Sequence, residues 1–500
     1  MKKYKLTLIV SALFCMVKLS QAANSTYPEF DIANNYDGNS IVSYKDKVYI
    51  NAWYAAAGQC PAQKNCPEVY RAGLWNKYTS AKHEFDFYNY TNLQADYPKL
   101  PTCTASEFSI SQVQNIINTN VEIKSAAPSG GYTQHDKNAL YSEFMLPCKP
   151  NLNFGNISSL PSNVQTLMRV MPESVWQKFA SNIVKGDSGK TYRDDKGNPK
   201  PYPMQDNFAK VGYQSFLTAA ARYPYFCGEK GFYQSVDEAC KREIASLFAH
   251  AAQETGNTKV TDSFYWIREA YVNGNSYFDT GCAAPFSCQH NFERYYGRGP
   301  KQLTYYYNYA GFSAAYFNGN YQYLLSWPDM VGYDPNLYFT SAIWFVMTHQ
   351  PPKPSIHDVM LGKYKPDTTC TEPLCKGVKY NQTTGVDNNF DITIEVVNGG
   401  PECRGNNSGA SENRTKGFKE VLAELKANIS YAEANLPLGC DFIAKNGADP
   451  LKTIFADAKL MQNAHTWLDL TGSSCQAQKS GGAAMISVTA KGIVNACKTK

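Results

Sequence analysis

Apolar positions along the chain follow two different periods. Between residues 28 and about 80 the segment "NSIVSYKDKVYINAWY" alternates apolar and polar, with "YKDK" a turn between two strand-like runs. That pattern predicts a small β module whose large aromatics are Trp53, Tyr54 and Trp75. From about 165 to 440 the period becomes helical. In "CKREIASLFAHAAQE", Ile244, Leu247, Phe248 and Ala251 fall on one face. Ser235 and Glu238 make a capping-box signature for its start, and Gly256 offers a stop. Glu254 lies on the flank of that apolar stripe, at the border between core and solvent. "SVWQKFASNIV" aligns Trp176, Phe179, Ala180, Ile183 and Val184, and "YQSFLTAAARY" is a further helix stopped by Pro224. "SAIWFVMTH" is apolar all round and should be buried. "GFKEVLAELKANI" aligns Phe418, Val421, Leu422, Leu425 and Ile429.

Two stretches are less informative. Residues 81–164 are turn-rich with one helix, "SISQVQNIINT"; they read as a linker, or as an insertion tied by Cys103 and Cys148. Residues 441–500 carry a short helix, "LKTIFADAKLMQ", and then a Gly/Ser/Ala-rich tail, an extension of no evident role. The fold class is mainly α, with a β-rich module ahead of it.

Composition narrows the partners. A chain of 500 residues exceeds one core, so two to four domains are expected. A net charge of +5 with no long run of like charge argues against a nucleic-acid partner. Only 18% of residues are charged while 36 are tyrosine, a surface suited to neutral polar ligands such as sugars. The start "MKKYKLTLIVSALFCMVKLSQAANS" has a lysine-rich head and an apolar run from Leu6 to Val17. Ser20 and Ala22 hold small-residue positions, so residues 1–22 read as a secretory signal cut after Ala22. The run is short for a membrane span, so a secreted product, free of the membrane once cut, is expected. Cys15 falls inside the signal, and the even number remaining implies disulfides. Cys60 with Cys66, Cys227 with Cys240, Cys282 with Cys288 and Cys370 with Cys375 are close in sequence, but spacing alone does not fix the pairing. Without a CxxC pair, and with seven histidines, no metal or other cofactor is expected. Asn156 and Asn428 begin glycosylation sequons.

Three patches carry candidate chemistry. Glu269 follows Glu254 within "SFYWIREAYV", among Phe264, Tyr265, Trp266 and Tyr271. Aromatic surroundings desolvate a carboxyl, and two carboxyls across a groove are what glycosidic hydrolysis needs: one protonates the leaving oxygen, the other deprotonates water. "YYGRGPKQLTYYYNYAGF" forms a tight turn at Gly297, Gly299 and Pro300, from which Arg298 can reach backbone or a carboxylate. Gln302, Thr304 and Asn308, interleaved with tyrosines 305, 306, 307 and 309, can bond sugar hydroxyls or a water. In "VVNGGPECRG", Asn398 precedes two glycines, which permit close approach of a ligand or only a turn. Arg414 in "ENRTKGF" opens the helix of Phe418.

"LFAHAAQETG", "YYGRGPKQLTYYYNY", "AIWFVMTHQPPKPSIHDVM" and "VVNGGPEC", in that order, resemble the glycoside hydrolase family 19 chitinases. "FLTAAARYPYFC" extends the resemblance, which covers roughly 165–440. It implies a lysozyme-like bilobal helical catalytic domain that cuts β-1,4-linked N-acetylglucosamine polymers with inversion, as an endochitinase needing no metal. Position by position it implies Glu254 as general acid, Glu269 as general base and Thr304 as the hydroxyl that holds the nucleophilic water. Gln302, Tyr307, Asn308 and Asn398 correspond to substrate contacts. Arg414 and Glu402 correspond to a network that biases the catalytic carboxyls. Cys282–Cys288 and Cys403–Cys440 correspond to family disulfides.

The sequence departs from that pattern where Gln253 replaces a histidine before Glu254, and where Thr304 replaces the usual serine. One extra residue also separates Arg414 from Phe418 relative to many members. The N-terminal module resembles small chitin- or cellulose-binding modules through Tyr36, Gly38, Val42, Tyr44, Tyr49, Ala52, Trp53, Tyr54, Gly58, Pro61 and Trp75, although its aromatics could equally be its core. The expected partner is chitin or a related N-acetylglucosamine polysaccharide, bound by a monomer. Two rival readings stand beside this one: a peptidoglycan-cleaving muramidase on the same fold, and an inactive chitin-binding protein.

Overall fold

A computed structural model describes residues 97–269, 295–363 and 390–440, apart from short internal gaps, with short strands outside these spans. Residues 1–22, Trp53, Tyr54, Cys282, Cys288 and the stretch "LKTIFADAKLMQ" lie outside the described residues. Among the strands, β1 (Ile41–Tyr44), β2 (Lys47–Asn51) and β3 (Trp75–Lys77) form an antiparallel sheet in the order β1-β2-β3. Tyr44 pairs with Lys47 and Asn51 with Trp75. Two further hairpins join β4 (Thr191–Arg193) to β5 (Pro199–Pro201), and β6 (Ser487–Thr489) to β7 (Gly492–Val494). No helix among the described residues is long and apolar enough to cross a membrane.

The described body is mainly helical. Its helices of eight residues or more are α1 (Ile110–Thr119), α2 (Gln134–Glu143), α3 (Ser162–Val170), α4 (Glu173–Ala180), α5 (Gln205–Ala221), α6 (Val236–Thr255), α7 (Tyr306–Tyr316), α8 (Pro335–Met347), α9 (Phe390–Cys403) and α10 (Ser408–Glu424). Local chemistry starts several of them. The Ser235 hydroxyl accepts from the Glu238 amide at the head of α6, and Asp334 accepts from the amides of Asn336 and Leu337 at the head of α8, with Pro335 in its first turn. The capping box expected at α6 is only half made. The Glu238 carboxylate turns away to Lys241, Arg242 and the Asn428 amide.

Aromatic rings hold the centre. Phe216 on α5, Phe248 on α6, Phe339 on α8 and Phe264 meet edge to face with centroids 5.1–6.1 Å apart. Each such pair adds about 0.5–1.5 kcal/mol beyond the area it buries. α8 is buried from Leu337 to Met347, as an all-apolar helix must be. α6 is more deeply set than its single apolar stripe suggests. Arg242, Glu243 and His250, on positions that look polar, are as buried as Leu247. Each has a partner on another element: Arg242 donates to Glu433 at 2.8 Å, and Glu243 accepts from the Cys227 amide at 2.8 Å.

Two helices differ from their expected extents. α4 ends at Ala180, and Val184, still buried, takes φ +52. α10 starts at Ser408, placing Arg414 within the helix rather than at its opening, and ends at Glu424 before Lys426 at φ +51. Ile429 therefore leaves the buried face and is exposed. Gly256 does stop α6, but in extended backbone; glycine is needed for space, since a Cβ would stand 2.6 Å from the Ala252 carbonyl oxygen.

Residues 97–160 share their core with the helices that follow. Val113, Ile117, Leu140 and Phe144 belong to the same buried cluster as Leu247. A Cys103–Cys148 disulfide closes this segment on itself. It is then keyed to the body: Arg222 donates twice to the Leu146 carbonyl, at 3.0 and 2.8 Å, and Tyr97 donates to Asp334 at 3.1 Å. The Glu143 carboxylate meets both the His349 amide and its imidazole.

His349 and His357 are both wholly buried and both bridge carboxylates. His349 lies between Glu143 and Asp358; His357 lies between Glu243 and Glu229, with Lys363 also on Glu229. Burial opposes their charge, but the carboxylates outweigh it and push each imidazole up to about 9. The unfolded value is about 6.5. A raised folded pKa contributes stability that is complete below the unfolded value and is lost as pH rises through the folded one. The melting temperature should therefore fall between about pH 6.5 and 9, and a His349→Gln variant should show a shallower fall over that interval in calorimetry.

Candidate active site

Glu254 occupies the last turn of α6, where the helix leaves the core, with its side chain 18% exposed. Arg414 reaches it from α10. Its guanidinium is buried, donates from Nη2 to Glu254 Oε1 at 2.5 Å, and grips Glu402 from Nε and Nη2 at 2.8 and 2.7 Å. Burial works against the charge on Arg414, but Glu254 and Glu402 more than offset it and raise its pKa. A planar fork between two carboxylates is a task that lysine cannot perform. Glu402 is fixed in turn. Asn398, at a break in α9 with φ −151 and ψ 39, donates to Glu402 Oε1 at 2.9 Å, and the neighbouring Cys403 is bonded to Cys440.

His250, one turn before Glu254, completes the cluster. Arg414 Nη1 stands 3.2 Å from His250 Nδ1. Arginine can only donate, so Nδ1 accepts and Nε2 carries the hydrogen toward Thr393 Oγ1 at 2.9 Å. Burial, with Lys301 and Arg414 nearby, holds the imidazole well below its ordinary value and hence neutral. Its ring stacks on Phe390, which stacks on Phe418 at 4.2 Å. Gln253, at the position of the departure noted above, accepts from Asn413 at 3.4 Å.

The other candidates gather on the loop before α7 and in its first turn, where Tyr307 and Asn308 lie. After Gly256 the chain returns so that the Trp266 amide donates to the Thr255 carbonyl at 2.7 Å. Glu269 lies three residues on, at most about 10 Å of extended backbone. Its amide donates to the Gly297 carbonyl at 2.8 Å, and its Oε2 accepts from the Gly297 amide at 3.3 Å. Gly299, at φ +78, donates to Ile267, and a Cβ there would stand 2.6 Å from Ser341 Oγ. Arg298 is buried on the Tyr296 ring and reaches the Asp329 carboxylate. Gln302, at φ +48, donates to the Gly299 carbonyl; Thr304 donates to the Gln302 carbonyl at 2.7 Å, leaving its oxygen lone pairs to accept. Asn308 donates to the Thr304 carbonyl at 2.8 Å. Tyr307 stacks almost parallel on the exposed Tyr305, centroids 5.6 Å apart.

Asn398, Glu402, Arg414 and Glu254 are thus linked into one chain of contacts, and Glu269, Gln302, Thr304, Tyr307 and Asn308 share one loop region. Lys301, on the same turn, is buried with its Nζ 5.2 Å from the centroid of the Phe345 ring. His250, Thr393 and Lys301 are the residues missed from sequence. The spacing of His250 four residues before Glu254 was the available signal, because it places both on one helix face. Among the described residues no cluster of three His, Cys, Asp or Glu side chains could hold a metal ion.

Residues 202–435 match the family model of class I chitinases, glycoside hydrolase family 19. Endochitinase B of Nicotiana tabacum is 36% identical over 205 residues, 39% of this chain and 56% of the relative. An endochitinase of Solanum tuberosum is 34% identical over 199 residues, 38% of this chain and 53% of the relative. The chain thus spans little more than half the length of these curated relatives. The solved class IV chitinase from Zea mays is 28% identical, covers 45% of this chain and 85% of its own, and superposes with a TM-score of 0.30.

Removing one partner of a buried pair strands the other charge, at a cost of about 3–5 kcal/mol. Arg414→Met should destabilise the protein by that amount in urea denaturation, and Arg414→Lys should recover only part of it.

Proposed function

We propose that this protein is an endochitinase that hydrolyses β-1,4 linkages between N-acetylglucosamine units with inversion at the anomeric carbon. The observation that carries this reading is the placement of Glu254, partly exposed at the end of a buried helix and tethered by Arg414 to Glu402. The family match over residues 202–435 supports the substrate class, and the lysozyme-like bilobal arrangement implied by the resemblance belongs to the same reading.

As general acid, Glu254 gives a proton to the glycosidic oxygen as the bond to the anomeric carbon breaks. Water attacks that carbon from the opposite face, and Glu269 takes a proton from it. Thr304, whose hydrogen is committed to the Gln302 carbonyl, accepts a hydrogen bond from the water. The charge left on Glu254 falls on Arg414, already oriented by Glu402, so no side chain has to reorganise to receive it. Tyr307 offers a ring face to a pyranose, with Gln302, Asn308 and Asn398 as polar contacts. Residues 28–80 serve as a chitin-binding module through Trp53, Tyr54 and Trp75, and the enzyme is secreted as a monomer after loss of residues 1–22.

Glu254→Gln keeps the shape of the side chain and removes the transferable proton. It should lower turnover of an N-acetylglucosamine hexamer by at least about 10²-fold, the lower end for one general acid, while circular dichroism and melting temperature show a folded protein. Near-normal turnover in that variant would overturn the assignment.

A further inference from the structure

All five N–H donors of Arg414 are in use. Nε goes to Glu402 Oε2 at 2.8 Å, and Nη2 is divided between Glu402 Oε1 at 2.7 Å and Glu254 Oε1 at 2.5 Å. Both donors of Nη1 go to one residue, His250: to its ring Nδ1 at 3.2 Å and to its own backbone carbonyl at 3.3 Å. Glu402 thus holds the Nε–Nη2 edge of the guanidinium, and His250 holds Nη1. The direction of the ring contact is fixed from behind. The Thr393 hydroxyl donates to the Phe390 carbonyl at 2.5 Å, so its hydrogen is committed and it can only accept from His250 Nε2, 2.9 Å away. The imidazole hydrogen therefore lies on Nε2, and the lone pair of Nδ1 faces Arg414. Exchanging the two ring nitrogens would set an N–H against the guanidinium, and the stack on Phe390, with centroids 5.2 Å apart, holds the plane of the ring. His250, Thr393 and Arg414 are all buried, so these bonds do not compete with bulk solvent.

His250 precedes Glu254 by one turn of α6, on the same helix face. Arg414 accordingly meets α6 at two levels. One of them, Glu254, changes charge in the proposed reaction; the other does not. We propose that His250 is a positioning residue for hydrolysis: as a neutral acceptor it holds Arg414 Nη1, and so keeps Nη2 aimed at Glu254 while the Glu254 carboxyl loses and regains its proton. This rests on the role assigned to Glu254 above. A protonated carboxyl accepts more weakly than a carboxylate, so in that state the hold of Arg414 on α6 falls to His250. When the carboxylate forms, the guanidinium already stands where the charge appears. The histidine acts through Arg414.

The test rests on two substitutions of nearly equal shape. In His250→Asn the amide oxygen takes the place of Nδ1 along the side chain and keeps the acceptor; His250→Leu removes it. Both give up the stack on Phe390. On the N-acetylglucosamine hexamer, His250→Leu should lose roughly tenfold in kcat with KM little changed, the order expected for one hydrogen bond to a charged group. His250→Asn should recover most of that loss. Packing alone predicts the reverse order, because leucine fills a buried site at less desolvation cost than asparagine. A leucine variant as fast as the asparagine one would overturn the proposal. A second measurement needs no turnover. In NMR of protein with isotope-labelled arginine, the Arg414 Nη hydrogens, recognised by their absence from Arg414→Lys, should give separate signals in wild type and in His250→Asn, because rotation about Cζ–Nη1 is blocked. They should merge in His250→Leu, and identical spectra in all three proteins would overturn the proposal. In wild type alone, nitrogen NMR of the imidazoles should place the His250 hydrogen on Nε2. A hydrogen on Nδ1 would overturn the proposal even if neither variant folds. A wild type inactive on the hexamer that still shows these signatures would count against the proposed function and leave the positioning of Arg414 intact.

Discussion

One buried guanidinium organises the site. Arg414 lies between Glu402 and Glu254, drawing a helix end, a kinked helix and the middle of a third helix to one point. The unfolded chain solvates all three charges freely, so their desolvation must be offset by geometry. The geometry supplied is a bidentate grip on Glu402, a single bond to Glu254 and a ring stack behind His250. Because Glu402 is itself held by Asn398 and sits beside the Cys403–Cys440 bond, the tether has little slack. A carboxyl at a helix end can otherwise sample many positions; here the bond from Arg414 holds it.

The same principle runs through the rest of α6. Its apolar stripe is legible in sequence and meets, through Phe248, the Phe216 and Phe264 rings, which Phe339 meets in turn. Its polar side is not, because Arg242, Glu243 and His250 look like a solvated face until their partners are known. Those partners, Glu433, His357 and Arg414, lie more than a hundred residues downstream, where no local period can point. The limits of α10 were missed for a related reason. Ile429 continues the helical spacing of Leu425, but the chain breaks at Lys426 and takes it to the surface.

Within the site, residues carried by unbroken motifs were the easiest to name. Glu254 was found at the core border because α6 runs straight into it. Gln302, Thr304 and Asn308 stand in one motif, and they make one set of short bonds from a loop with positive φ at Gln302 and Tyr305 into the first turn of α7. From its turn Arg298 can reach backbone or a carboxylate, and it reaches both, the Asp329 carboxylate at 2.6 Å and the Tyr296 carbonyl at 3.4 Å. A lysine beside a turn and a histidine within a helix, as at Lys301 and His250, ordinarily signal nothing in sequence. Only burial, and the charges gathered around them, give them meaning.

In the proposed mechanism Glu254 and Glu269 act from opposite faces of the sugar, one as acid and one as base. The most direct measurement is proton NMR of fresh cleavage products from an N-acetylglucosamine oligomer, recorded before the anomers equilibrate. Direct displacement by water on a β linkage must release the α anomer first. Initial accumulation of the β anomer would require a covalent or substrate-assisted intermediate and would contradict the account.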